Sequence, residues 1–328
     1  MINIFYNTNY IKTRKVFLTR SFKYSKFLNL YIDLLYKLNL PIQEKYILSG
    51  PHKRMNNLIK TFKDDDRFIF NKYKFDLSYL VQFDEFGEKV LLNLINANKN
   101  AKILVGPLYN QKYDKKLSIY TNEFPNIKKV VASEIAFKNA VYEMGHDIDP
   151  KNVVIFPSGV IGSKELNLNK KNLKKEIDCL VYFKKRPKDH LNQVLELLNT
   201  NKHSYEVFEY GKYNNTDLKK TALNSRFGIF MSRPETQGFA AQELLSCNLP
   251  LLVWDQKKNI YDGKELSGTT ITYWNQECGE IVDTFEELNL NFDSFQNRLS
   301  SFNPYRLIEQ KLTFEVFKKN LILEFNNF

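Results

Sequence analysis

Residues 227–254, "FGIFMSRPETQGFAAQELLSCNLPLLVW", decide how the chain is read. The apolar run Phe227–Met231 is short enough for a strand and meets a turn marked by Pro234 and Gly238. "FAAQELLS" at 239–246 then reads as a helix, and "LPLLVW" resumes as a second apolar strand. Continuous apolar strands separated by helices belong to parallel sheets, because a strand covered on both faces has no polar side to show. Glu235 and Glu243 stand on either side of Gly238, where the strand gives way to the helix.

The same alternation extends in both directions. "CLVYF", "SYEVFEY", "FGIFM" and "LPLLVW" are strands of one series, joined by the helices "DHLNQVLELLN", "LKKTALN" and "FAAQELLS". An earlier series contains "INIFY", "KYILS", "DLSYLVQF", "AKILVG", "KKVVAS" and "NVVIFP". Between some of these lie helical stripes, Phe27, Leu28, Tyr31, Leu34, Leu35 and Leu38 in one and Val90, Leu91, Leu94 and Ile95 in another. The lysine-rich, weakly apolar stretch 157–176 separates the two series. The expectation is an α/β chain of two domains, 1–158 and 177–303, with a C-terminal helix over about 304–326 packing back on the first. Ligands of such sheets bind beyond the carboxyl ends of the strands, so the loops that follow the strands matter most.

Composition narrows the class. The 328 residues are 43% hydrophobic and 26% charged, a soluble globular balance. No apolar run approaches the roughly 18 residues of a membrane span. "MINIFYNTNY" reads as a first strand, Ile2–Tyr6, and not as a secretion signal. The three cysteines, Cys179, Cys247 and Cys278, form no CxxC pair and suit a reducing, cytoplasmic setting. Residues 1–160 carry 25 Lys and Arg against 15 Asp and Glu, and residues 161–328 carry 23 against 22. Two explanations stand for this asymmetry: the codon bias of an AT-rich genome, or attraction of an acidic partner such as a phosphorylated substrate, an anionic membrane surface or nucleic acid.

Several classes are excluded by what is missing. With 12 glycines and no GxGxxG or P-loop, a dinucleotide dehydrogenase or P-loop NTPase does not fit. His52, His146, His190 and His203 are dispersed, without metal-ligand spacing. No G-x-S-x-G elbow is present. Asp64–Asp66 and the Asp147/Asp149 pair mimic metal-binding motifs, but neither follows an apolar strand, and both read as solvated loops.

The spacing of Glu235 and Glu243 proves nothing alone, since 21 glutamates in 328 residues give about one such pair by chance. Its setting adds weight. Gly238, Ala240 and Ala241 leave the start of the helix bare, so a ligand can reach its free N–H groups, an anion site flanked by two acceptors. That suits a ligand with hydroxyls at both ends and phosphates between. The strand "CLVYF" runs into Lys184, Lys185, Arg186 and Lys188, with Asp189 expected to cap the next helix. Cations ahead of a helix N-terminus oppose its dipole, which makes sense where a diphosphate sits among them. A solvated basic loop is the plainer account.

These residues resemble the retaining nucleotide-sugar glycosyltransferases of the two-domain GT-B fold. The resemblance runs from about Lys128 to Phe317 and rests on "SRPETQGFAAQELLSCNLPLLVWD", a Glu-x7-Glu segment followed by a small-residue and proline turn into the next strand. "KKVVASEIAFKNAVYEMGHDIDPKNVVIFPSGV" is similar to the approach to the interdomain linker, and "CLVYFKKRPKDHLNQVLELL" to the phosphate-binding segment. It implies two Rossmann-like domains facing across a cleft and a metal-independent hexosyl transfer that retains anomeric configuration, with no cofactor and a nucleotide-sugar as donor. It further implies Glu235 on the transferred sugar, Glu243 on the ribose hydroxyls, the backbone at Gly238 and Phe239 on sugar or phosphates, and Arg186 and Lys188, ahead of Lys184 and Lys185, on the diphosphate. Tyr210 and Gly211 end a strand of the donor domain and are candidates for the base pocket, or an ordinary turn. Thr236 and Gln237 intervene where the family has glycine directly after its first Glu, and "NTNYIKTRKVF" lacks the family's N-terminal glycine loop. A cytoplasmic enzyme, touching an anionic membrane through its basic first half, is the leading expectation. A sugar-nucleotide epimerase on the same fold and a basic nucleic-acid binder are the alternatives. The acceptor is not legible.

Overall fold

The computed structural model describes residues 1–6, 50–72, 76–109, 111–160, 175–261 and 263–328. The expected strand "KYILS", the helix of residues 25–40 and the glycine-free segment after Tyr6 lie outside these, as does most of the 157–176 stretch. By packing, the chain divides into two units. One comprises 1–132, 145–158 and 318–328; the other comprises 133–144 and 159–317. Residues 133–144, which the sequence reading assigns to the first domain, thus pack in the second unit.

In the first unit, strands β1 (Ile2–Phe5), β2 (Phe68–Phe70), β3 (Leu77–Phe83), β4 (Lys102–Tyr109), β5 (Ile127–Val131) and β6 (Val153–Ile155) form a sheet in the order β2-β1-β3-β4-β5-β6. Every pairing is parallel. Three helices, α1 (Gly50–Phe62), α2 (Glu85–Ala97) and α3 (Gln111–Glu123), are interleaved with these strands. Helix α2 buries the expected stripe Val90, Leu91, Leu94 and Ile95. It starts where Asp84 accepts a bond from the Gly87 N–H at 3.0 Å. A Cβ on Gly87 would lie 2.4 Å from the Gln82 carbonyl oxygen, so the helix and strand approach only with glycine there. At the far side of the sheet, α3 holds Asp114 against Lys129 of β5 in a fully buried ion pair.

The second unit has the sheet order β13-β10-β9-β7-β8, again all parallel. Its strands are β7 (Ile177–Lys184), β8 (Tyr205–Glu209), β9 (Ser225–Ser232), β10 (Leu251–Trp254) and β13 (Gly279–Val282). Alternation along the strands divides the core in two. Leu180, Tyr182 and Phe230 face one cluster, which α7 (Phe239–Ser246) completes with Ala241, Leu244 and Leu245. Cys179, Val181, Phe183, Phe227, Ile229 and Met231 face the other, covered by α5 (Lys188–Thr200) and α8 (Phe285–Asn297). All three cysteines are buried free thiols. Helix α6 (Asn215–Asn224) joins β8 to β9, and an antiparallel hairpin, β11 (Lys258–Tyr261) with β12 (Lys264–Ser267), projects after β10. The last two helices are α9 (Pro304–Lys311) and α10 (Phe314–Asn326). The start of α10 lies over Gly159, and its end pairs Glu324 with Lys128 at 2.9 Å. Among the described residues no helix is long and apolar enough to cross a membrane.

Gly279 opens β13 at a φ of 131°, and a Cβ there would fall 2.0 Å from the Leu251 carbonyl oxygen. Gly279→Ala is therefore expected to destabilise the second unit by on the order of 2 kcal/mol or more. A thermal melt should show a midpoint lowered by roughly 4–8 °C.

Candidate functional site

Strands β7 and β9 are neighbours in register, with Lys184 opposite Ser232, so their carboxyl ends open side by side. The loop from β9 to α7 begins there. Its Glu235 is mostly buried and is gripped from two sides: Ser232 Oγ donates to Glu235 Oε1 at 2.7 Å, and the Lys184 ammonium pairs with the same oxygen. Lys184 also lies over the Tyr210 ring, 4.6 Å from its centroid. Glu243 sits one turn further into α7, 7% exposed, and accepts from Asn215 Nδ2 at 3.2 Å.

Tyr213 relates the two acids to each other. Burial pushes its hydroxyl up, and the negative charges of Glu243 and Glu235 add to the rise. Geometry ties both acids to one helix: a Cβ on Gly238, the cap of α7, would stand 3.8 Å from Glu235 Cβ, and Glu243 lies on α7 itself. Tyr213 meets Tyr182 hydroxyl to hydroxyl at 3.4 Å, and Tyr182 stacks on Phe230 at 4.7 Å. An aromatic wall therefore stands by Glu235 and Glu243, on the α7 face.

Gly238 occupies the cap of α7 at φ 73° and ψ 49°, and no side chain caps the helix. Its first-turn N–H groups are thus left for water or a ligand. Glycine is needed for the backbone rather than for room, because an added Cβ would make only ordinary contacts with Thr272 Oγ1 at 3.5 Å and Glu235 Cβ at 3.8 Å. Phe239 and Ala240 are half-buried.

Hydroxyls arriving from outside hold the loop. Thr270 Oγ1 donates to the Ser232 carbonyl at 2.9 Å and Thr272 Oγ1 to the Gln237 carbonyl at 2.6 Å. The Glu235 N–H donates to the Thr269 carbonyl at 2.9 Å. Ser133 Oγ donates to the Thr236 carbonyl at 2.6 Å. Asp255, 4% exposed, anchors the strap itself through Thr269 and the Thr270 N–H; against burial, which would raise it, its carboxyl is held down by the Thr270 and Gln256 N–H groups and by Lys257. The sequence reading missed Ser133, the threonines of 269–272, Tyr213 and Asn215.

The basic residues go to different faces of the sheet. Lys184 follows Leu180 and Tyr182 onto the α7 face and is the cation that reaches Glu235. Arg186 instead lies over Trp254, 4.6 Å from the ring, and bonds the Trp254 carbonyl; burial lowers its guanidinium to about 10. His190 stacks on the same tryptophan at 4.4 Å, its imidazole pKa lowered by burial and by Arg186. Lys188 pairs with Glu209 at 3.1 Å and lies over Phe183. Trp254 and Phe183 both belong to the α5 face. Lys185 adopts φ 52°, and the nearby Arg233 charge lowers its ammonium. Pro187, not Asp189, takes the cap position of α5, and Asp189 falls in its first turn. Gly211, at φ 88°, has open space where a Cβ would stand, and Tyr210 is 38% exposed.

The metal look-alikes are accounted for locally. Arg67 holds the Asp65 carboxyl well below the usual range, with bonds of 2.9 and 2.7 Å, and Lys318 joins at 3.2 Å. Asp149 caps the short turn Pro150–Asn152 by accepting from the Lys151 N–H. Among the described residues no group of three or more His, Cys, Asp or Glu could hold a metal ion.

No family model and no curated protein matches the chain. Solved structures do. The GtfA/B complex is 14% identical over 87% of this chain and 62% of its own, with a TM-score of 0.50. The pneumococcal O-GlcNAc transferase GtfA in complex with UDP and GlcNAc is 12% identical over 84% and 60%, with a TM-score of 0.46. Sucrose-phosphate synthase from Thermosynechococcus elongatus is 11% identical over 99% and 98%, with a TM-score of 0.48. The chain thus spans about 60% of the length of the two Gtf structures. At such identities the likeness is one of fold, and the α/β architecture is that of the GT-B glycosyltransferases.

Because Gly238 is fixed by its left-handed backbone and not by crowding, Gly238→Ala is expected to cost about 1–2 kcal/mol. Gly238→Asn should cost less, since asparagine tolerates that region. Urea denaturation of the two variants should rank them in that order.

Proposed function

We propose that the chain is a glycosyltransferase that moves a sugar from a nucleotide-sugar to an acceptor hydroxyl. The observation that carries this reading is the placement of both acids at one helix, Glu235 beside its uncapped amino end with Lys184 against it and Glu243 one turn inside. A nucleotide-sugar matches that order of groups. Glu243 takes the ribose hydroxyls, the N–H groups at Phe239 and Ala240 take a phosphate, and Glu235 takes hydroxyls of the sugar. Lys184 is the nearest cation to the diphosphate. Arg186 and Lys188, engaged with Trp254 and Glu209, supply field rather than direct bonds. Tyr210, Gly211 and Tyr213 lie on the side where a base would lodge.

In this reading the bond between the anomeric carbon and the diphosphate oxygen breaks with its electron pair leaving on the phosphate. The sugar passes through an oxocarbenium-like state, and the acceptor hydroxyl attacks from the face of departure, handing its proton to the departing phosphate oxygen. Configuration is retained. Helix dipole and lysine, in place of a metal, carry the charge that develops on the leaving group. Glu235 orients the sugar.

Thermal-shift screening against UDP, GDP, ADP and dTDP identifies the donor's base. Glu243→Gln should then weaken binding of the selected nucleotide about ten- to a hundredfold, the value of a charge-assisted bond to ribose. Isothermal titration measures it, and equal affinities in variant and parent would remove Glu243 from the site.

A further inference from the structure

The strap 267–272 holds the loop from β9 to α7, and something must hold the strap. Ser267, its first residue, is enclosed by residues 138–143. Glu143 Oε2 accepts from the Ser267 N–H at 2.6 Å and Glu143 Oε1 from its hydroxyl at 2.5 Å. Asn139 Nδ2 donates to the Ser267 carbonyl at 3.1 Å, and Lys138 approaches both the hydroxyl, at 2.7 Å, and Glu143, at 3.0 Å. Asn139 and Glu143 reach one residue together because Asn139–Glu143 forms a widened π turn, closed by the Met144 N–H on the Asn139 carbonyl at 2.8 Å. Such turns persist where the surroundings over-determine them, often beside functional sites. Ser267's hydroxyl and N–H keep the Glu143 carboxyl down at about 2, so the grip is ionised at any ordinary pH.

At the other end of the same segment, Ser133 is fully buried and does two things. Its hydroxyl donates to Thr236 and accepts from the Ala136 N–H at 3.4 Å, capping the short helix α4 (Glu134–Lys138). The segment therefore meets the loop once directly, at Thr236, and once through Ser267, whose strap fixes Ser232, Glu235 and Gln237. Gly268, next in the strap, lies so close to Pro234 that a Cβ would stand 2.8 Å from its ring, which makes the coupling steric as well as polar.

We infer that residues 133–144 are the positioning element of the donor site: Ser133 and Glu143 set the shape of the loop that presents Glu235 and the amino end of α7. The inference rests on the glycosyltransferase reading for its consequence, but its geometry can be tested apart from it. Neither residue touches donor; both act through backbone.

Amide hydrogen exchange on the whole chain, with no ligand, is the first arm. S133A and E143Q should speed exchange at residues 235–240 on the order of fivefold or more, while strand residues 227–231 keep their rates. S133T, which restores the hydroxyl, should return the loop to parent behaviour. Unchanged exchange in both S133A and E143Q would overturn the inference, and so would exchange in S133T as fast as in S133A. Titration with UDP, GDP, ADP and dTDP is the second arm. The variants should bind several-fold more weakly whichever of these the parent binds, with the same preference among them. A loosened loop with unaltered nucleotide affinity would also defeat the positioning role. If the parent binds none of the four, the glycosyltransferase reading falls, and the exchange result alone decides whether Ser133 and Glu143 shape the loop.

Discussion

The loop between β9 and α7 is only partly buried, and the arrangement of this site follows from how its shielded backbone polar groups are satisfied. The carbonyls of Ser232, Thr236 and Gln237 each accept from a hydroxyl, those of Thr270, Ser133 and Thr272. At about 1 kcal/mol for each such bond, the three together exceed the cost of about 1–2 kcal/mol for a left-handed cap residue, which glycine at 238 largely avoids. Because these bonds approach from outside the loop, its other side is left for Glu235 and for the N–H groups that open α7. A rigid loop with free donors on one side is what anion recognition without reorganisation requires.

Charge is treated differently in the two units. Lys129 and Asp114 form a pair that is almost wholly excluded from water, in the middle of a strand and under a helix. Removing one partner there would strand a buried charge at about 3–5 kcal/mol, so the pair is bound to folding. Lys184 and Glu235 sit at the carboxyl edge, retain some exposure and share their surroundings with a tyrosine face. Position along the strand, and not the residue types, separates the two ion pairs: one lies in the middle of β5 and the other at the end of β7.

Much of this was legible in the sequence. "FAAQELLS" gave a helix with the bounds 239–246 that the structure shows, because a glycine turn precedes it and a polar turn follows. The central strands were legible because burial on both faces makes them uniformly apolar. The hairpin 258–267 was not, since "KNIY" and "KELS" are mostly exposed and carry no apolar alternation. The hydroxyl strap was equally silent: Ser and Thr in a loop are ordinary, and only the fold brings Ser133 to Thr236. The cations are the instructive case. The sequence favours Arg186 and Lys188, yet the strand ends at Lys184, which alternation from Leu180 through Tyr182 puts on the side of α7, while Arg186 lies beyond the strand and turns to Trp254.

One short helix serves both the core and the edge of the sheet. Ala241, Leu244 and Leu245 of α7 are buried in the core cluster, while its first turn stays half open. Glu243 lies between these two demands, on a helix whose second turn is wholly buried, yet with its carboxylate turned to Asn215 and within reach of Tyr213. The helix thus spends its second turn on the core and keeps its amino end, with Gly238 as cap and Glu235 beside it, at the carboxyl edge of the sheet.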